Sequence, residues 1–199
     1  MELEIRGVKI SFGFSFFWVL AILLCFDFRD EIRLALLFST LHELGHLTAI
    51  IVTRQRPKQI AFGLFGMTIV KRSDMSCKYS AEIFTALAGP LVNVLFSSVF
   101  YCAFKSSGKP VFMTAFAVNF LIAAFNLMPV FSLDGGRALE CTLKMRFEAQ
   151  KAEKILKAVS FVFVVIIDFI GAFVLIKSGY NFTLLLIAVY LTATLFIKS

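Results

Sequence analysis

The sequence predicts an all-α polytopic membrane protein with about six transmembrane helices and a small membrane-associated β-sheet, and three observations predict it. Hydrophobic residues make up 59% of the 199 positions and the mean hydropathy is +0.87, whereas an ordinary soluble domain is roughly 45–50% apolar. Apolar runs of bilayer-spanning length recur along the chain, at about 10–26, 34–53, 81–104, 111–131, 158–176 and 180–197. The basic residues lie in the connections between those runs and are unevenly shared. With six crossings, fifteen of the 20 Lys and Arg fall on the side of the N-terminus, and only Arg29, Arg33, Lys105, Lys109 and Lys177 fall on the other. Positive charge marks the inner face, so the expectation is a multi-pass protein of the cell membrane with both termini cytoplasmic. The net charge of +7 is then a topology signal, and nucleic acid is not an expected partner. One membrane-embedded domain over 1–199 follows.

Each element has its own reason. Residues 3–12 alternate apolar and polar around Gly7, which suits a short strand at the membrane surface. The run at 10–26 is followed by Asp27-Phe28-Arg29-Asp30, which offers no small-residue cleavage site, so a retained span is expected rather than a removable signal. A basic exit, Arg54 to Lys58, closes the second run. Gln59 to Lys71 holds two β-branched or aromatic runs around Leu64-Phe65-Gly66, the pattern of a hairpin. Residues 135–157 mix charge with apolar positions at helical spacing, predicting an amphipathic segment on the surface. The four cysteines, Cys25, Cys77, Cys102 and Cys141, form no C-x-x-C pair, so neither a disulfide framework nor a cysteine-rich zinc site is indicated.

The chemistry concentrates in Leu41-His42-Glu43-Leu44-Gly45-His46-Leu47, inside the second apolar run. On a helix His42 and His46 leave one face and can reach one metal ion. Glu43, offset by one residue, can hold and deprotonate water without being a ligand, the division of labour zinc hydrolysis requires. A chance match to the five-residue string is the competing explanation. It weakens because three ionisable groups in a span are costly unless they have partners. The chain has only two histidines, so a third ligand must be a carboxylate or a cysteine. In Asn126-Leu127-Met128-Pro129-Val130-Phe131-Ser132-Leu133-Asp134-Gly135-Gly136, Pro129 should end or bend the fourth span, and the glycine pair should free the chain to turn Asp134 toward the histidines. Asp134 is therefore the expected third zinc ligand. The alternative for it is a solvated carboxylate at a helix-boundary turn. In Ala88-Gly89-Pro90-Leu91-Val92-Asn93 the small residues should let another helix approach closely.

Together HELGH (42–46), AGPLVN (88–93) and NLMPVFSLDGG (126–136) resemble the site-2 protease family of intramembrane zinc metalloproteases, peptidase family M50. The resemblance covers roughly residues 1–140. It implies Zn2+ held by His42, His46 and Asp134, with Glu43 as general base. It also implies that Asn93 and Asn126 shape the site or contact substrate or transition state. The strands at 3–12 and 59–71 look like the family's membrane-embedded sheet, whose edge can pair with an unwound substrate segment. A six-span core without an inserted PDZ domain looks like the branch that includes a sporulation protease acting on a sigma-factor precursor, and the lack of a CBS domain departs from that branch's commonest pattern.

The expected activity is hydrolysis of a peptide bond in or near a transmembrane segment of a membrane-tethered protein, such as a transcription-factor or sigma-factor precursor. The expected partners are that substrate, the lipid bilayer, and a regulatory membrane protein or further copies of the chain. The competing function is a membrane metal transporter using His42, His46 and Asp134 as a transit site, although a transporter would be expected to show inverted repeats and successive sites. Asp168, inside the fifth run, reads as a hydrogen bond to a neighbouring helix rather than as a gate. Glu82 and Glu140, at span ends, read as solvated or snorkelling.

Overall fold

Glu31 to Val52 contains no proline, is apolar on every side and forms one 22-residue helix, α1. In the computed structural model the residues described are 2–5, 8–12, 31–55, 57–63, 66–71, 78–179 and 183–197. Most of the span expected at 10–26 lies outside them. The strands are β1 (Glu2–Ile5), β2 (Val8–Phe12), β3 (Pro57–Gly63) and β4 (Gly66–Lys71), and they form one sheet in the order β1-β2-β3-β4. The N-terminal stretch predicted as a single strand is thus two, paired antiparallel from Glu2↔Ser11 to Ile5↔Val8. β2 and β3 run parallel, a pairing that requires a long crossover, and the connection between them contains α1. Gln59 donates to the Ser11 hydroxyl across that pair at 3.1 Å. β3 and β4 make an antiparallel hairpin with a register shift at Pro57/Gln59.

The remaining helices are α2 (Tyr79–Ser107), α3 (Pro110–Asn126), α4 (Asp134–Lys144), α5 (Ala149–Ser178) and α6 (Thr183–Ile197). α2 and α5 both stop at a glycine in the left-handed region, Gly108 (φ 66°) and Gly179 (φ 75°), whose N–H caps the carbonyl four residues back. α1, α2 and α5 are long and apolar enough to cross a membrane; α3 and Leu184–Leu195 are apolar but shorter. At ~1.5 Å per residue the 30 residues of α5 run to about 45 Å, well beyond the ~30 Å hydrocarbon core. Large apolar side chains face outward, among them Ile176 (80% exposed) and Phe169 (73%). Water does not tolerate apolar exposure on this scale without a partner surface. The chain is a membrane protein.

Two predicted boundaries move. The fourth span, expected to reach 131, ends as a helix at Asn126. The residue before a proline is driven out of the helical region, so helix cannot continue through Met128 to Pro129. The amphipathic segment expected at 135–157 is not one element. It is α4, a break at Met145–Glu148, and the polar first turns of α5, which runs on unbroken into the apolar part of the helix.

The chain divides into two compact units: Met1–Lys78 with Ala88–Ala123, and Tyr79–Leu87 with Ala124–Ser199. In the first, Gly45 lets α1 meet α2. A Cβ at Gly45 would lie 2.9 Å from the Ala88 carbonyl oxygen. In the second, the core is Val130, Val164, Ile167, Ala188 and Leu191. There Asp168 accepts a hydrogen bond from Thr192 at 3.2 Å, from α5 to α6.

Candidate metal centre

α1 carries His42, Glu43 and His46, and its helical spacing brings the two imidazoles to one side. His42 is buried, at 4% exposure, and its Nε2 lies 3.1 Å from Nε2 of His46. Two imidazole nitrogens each ~2.0–2.1 Å from a tetrahedral zinc would sit about 3.3 Å apart, so this spacing suits a shared ion. The space before them is kept open by Gly89 of α2. A Cβ there would overlap Nε2 of His46 and lie 2.8 Å from Nε2 of His42. In the AGPLVN string, then, close helix approach belongs to Ala88, opposite Gly45, whereas Gly89 makes room for the rings.

The orientation of His42 comes from Asn93. His42 Nδ1 lies 2.6 Å from Asn93 Oδ1, and the Asn93 amide donates to the Phe38 carbonyl at 3.3 Å and to Asn119 Oδ1 at 3.0 Å. Asn93 and Asn119 are both fully buried, at 0% exposure. Asn93 therefore lies against the Nδ1 side of His42, away from the paired Nε2 atoms. A histidine whose far nitrogen is held in this way presents the other as a fixed ligand. Asn119 was not foreseen. The available signal was an amide in the middle of an uncharged span, which is expensive in hydrocarbon without a partner.

Asp134 and Asn126 belong to the second unit. Asn126 is the last residue of α3 and Asp134 the first of α4. A carboxylate in a first helical turn is favoured by the helix dipole. The glycine pair does not act as a flexible joint, as the sequence suggested. Gly135 and Gly136 are both helical, and neither has a positive φ. A Cβ on Gly135 would overlap the Leu127 carbonyl and one on Gly136 the Val130 carbonyl, so glycine is needed here for close backbone approach. The loop before Asp134 is clamped as well. Phe131 N–H donates to Ser160 Oγ at 2.9 Å, the Ser160 hydroxyl lies 3.3 Å from the Pro129 carbonyl, and Val130 is buried at 1% exposure. Ser160 is a second residue that sequence reasoning missed. Burial, followed by Glu82 and Glu140, pushes the Cys141 thiol above its usual range. Glu82 and Glu140 are less solvated than predicted. Arg137 lies 3.7 Å from Glu82, and Lys144 pairs with Glu140.

Residues 103–167 match the sequence model of peptidase family M50. That segment holds Asn119, Asn126, Asp134 and Ser160. A zinc metalloprotease of Methanocaldococcus jannaschii is 27% identical over 164 residues, covering 76% of this chain and 48% of that protein. Stage IV sporulation protein FB of Bacillus subtilis is 25% identical over 184 residues, covering 91% of this chain and 63% of that protein. The chain thus spans less than two thirds of the length of either relative. The fold is that of a solved site-2 protease from Methanocaldococcus jannaschii, with a TM-score of 0.67 and 22% identity over 96% of this chain and 91% of that one. The matched family is a peptidase family, which lends the transporter alternative no support. The chain is thus similar to peptidase family M50 over residues 103–167 and shares the fold of a site-2 protease.

Proposed function

We propose that the chain is an intramembrane zinc metalloprotease that acts as one domain and cleaves a peptide bond in or near a transmembrane segment of a membrane-tethered protein. The observation that carries this reading is the pair of Nε2 atoms 3.1 Å apart, facing a position that only glycine leaves open. The proposed ligands are His42, His46 and Asp134, each giving one donor atom. Bound there, zinc supplies Lewis acidity that makes water a nucleophile near neutral pH. Glu43 takes the proton of the attacking water on its carboxylate and passes it to the leaving amine. Asn93 holds His42, and Asn126, at the end of α3, is proposed to contact the substrate or its transition state.

A peptide bond inside a helix is shielded, so the substrate must unwind before it is cut. β4 is an edge strand of the sheet, whereas β3 is paired on both sides, so the proposed docking edge within the hairpin is β4. The six-span topology, with both termini cytoplasmic, rests on the charge distribution. The substrate class proposed is that of membrane-tethered transcription-factor or sigma-factor precursors, in keeping with the likeness to a sporulation protein.

The test is Glu43→Gln in cells that co-express such a precursor. Zinc content should stay at the wild-type level while cleavage falls by about 10²- to 10⁴-fold, the usual contribution of a general base. Cleavage at the wild-type rate by that variant would overturn the mechanism.

A further inference from the structure

Four hydrogen bonds run in series through the first unit and end on two backbone carbonyls. Asn119 Nδ2 donates to the Ala115 carbonyl at 2.8 Å, Asn93 Nδ2 donates to Asn119 Oδ1 at 3.0 Å and to the Phe38 carbonyl at 3.3 Å, and His42 Nδ1 meets Asn93 Oδ1 at 2.6 Å. A backbone carbonyl can only accept. The Ala115 carbonyl therefore fixes which end of the Asn119 amide faces it, leaving the Asn119 oxygen toward Asn93. That oxygen and the Phe38 carbonyl together demand the NH₂ of Asn93. Only the Asn93 oxygen is left for His42, and an oxygen requires a proton on Nδ1. Every other combination of amide orientations sets oxygen against oxygen, or NH₂ against NH₂, at full burial, where an unmade hydrogen bond is most costly.

We infer that Asn119 is a positioning residue for metal binding: through Asn93 it locks His42 in the tautomer protonated at Nδ1, which leaves Nε2 bare to bind a divalent metal ion. α3 thereby sets the tautomer of a ligand on α1 through the intervening Asn93. A free imidazole prefers the opposite tautomer, and Nε2–H would have to be stripped before metal could bind. The metal part of this inference rests on the proposed function; the tautomer part stands without it.

The experiment uses the full chain in lipid nanodiscs, labelled with ¹⁵N-histidine and stripped of metal. The chain has two histidines, so the ring signals are two sets, assigned with a His46→Asn variant. Wild-type His42 should show its proton on Nδ1 alone. In Asn119→Leu, an Nε2–H population should appear beside it, and zinc affinity, measured against a competing chelator, should fall about 10-fold, the lower end of the range for outer-shell partners of a metal ligand. A wild-type ring protonated at Nε2 overturns the inference whatever the variants do, including the case where Asn119→Leu fails to fold. An unchanged tautomer together with wild-type zinc affinity in a folded Asn119→Leu overturns the part assigned to Asn119. A wild-type protein with the expected tautomer but no zinc affinity would instead sink the metalloprotease reading and leave the relay standing.

Discussion

The two units position their candidate ligand residues in opposite ways. In the first, His42 is set by side chains: Asn93 and Asn119 bond in sequence and orient its ring. In the second, Asp134 is set by backbone: a helix begins at it, two glycines press against the carbonyls of Leu127 and Val130, and Ser160 clamps Pro129 and Phe131. The difference follows from the ligands. An imidazole has two unlike nitrogens and binds metal through one of them only in the right tautomer, so it needs a bonded partner. A carboxylate has two equivalent oxygens and no tautomer to select, so fixing its Cα comes close to fixing its function. Changes in the first unit should therefore cost metal before stability, and changes in the second should cost stability first.

The sharpest test is a matched pair of glycine substitutions. Gly89→Ala puts a methyl group against both Nε2 atoms. Zinc affinity should fall more than ~100-fold, past the range for losing an outer-shell partner, and cleavage should stop. Thermal stability should fall less than in Gly136→Ala, since imidazole rings can swing aside where a backbone carbonyl cannot and alanine favours helix over glycine by up to ~1 kcal/mol. Gly136→Ala drives a methyl group into the Val130 carbonyl, which is backbone and cannot swing aside. Overpacking of that kind costs typically ~1–3 kcal/mol and can cost more, which outweighs the propensity gain. A lowered unfolding midpoint in detergent, with zinc affinity falling only as the fold is lost, is the expected result. Should Gly136→Ala lose zinc at full stability, the contrast between the units would fail.

Ser160→Ala comes next. It leaves the Phe131 N–H and the Pro129 carbonyl without their partner, an expected loss of about 1–3 kcal/mol, read as a shift in thermal midpoint. Ser160 could not be picked out in advance, and Asn119 could be noticed only as a costly amide in an uncharged span, without its partner; the reason is physical. Their partners lie about 30 residues away in the chain, and polar pairing at that distance leaves no periodic trace. His42, Glu43 and His46 were legible because their geometry is set within one and a half turns of a single helix. The glycine pair was visible but misread. Sequence reveals that a side chain is absent there, and only packing shows whether the absence serves bending or close approach. The end of α3 at Asn126 was half legible: Pro129 predicted a stop, and the restriction it places on the preceding residue moved that stop back toward Asn126.

The smallest effect is expected on the polar face of α4. Lys144 pairs with Glu140 one turn earlier, with both side chains still partly exposed. The hydrogen bond that Lys144 donates to Glu140 raises the lysine above its usual range, with burial opposing. A lysine whose pKa is higher folded than unfolded contributes stability at every pH below the unfolded value and loses it only as the pH climbs through the folded one. The wild-type advantage over Lys144→Ala should accordingly stay flat between about pH 6 and 8. It should be only ~0.2–0.5 kcal/mol, the usual worth of such a helical pair. Chemical denaturation at two pH values reads both quantities. A cost well above 1 kcal/mol would mean that α4, and Asp134 with it, is held in place by its charges and not by the fit of two glycines against the preceding loop.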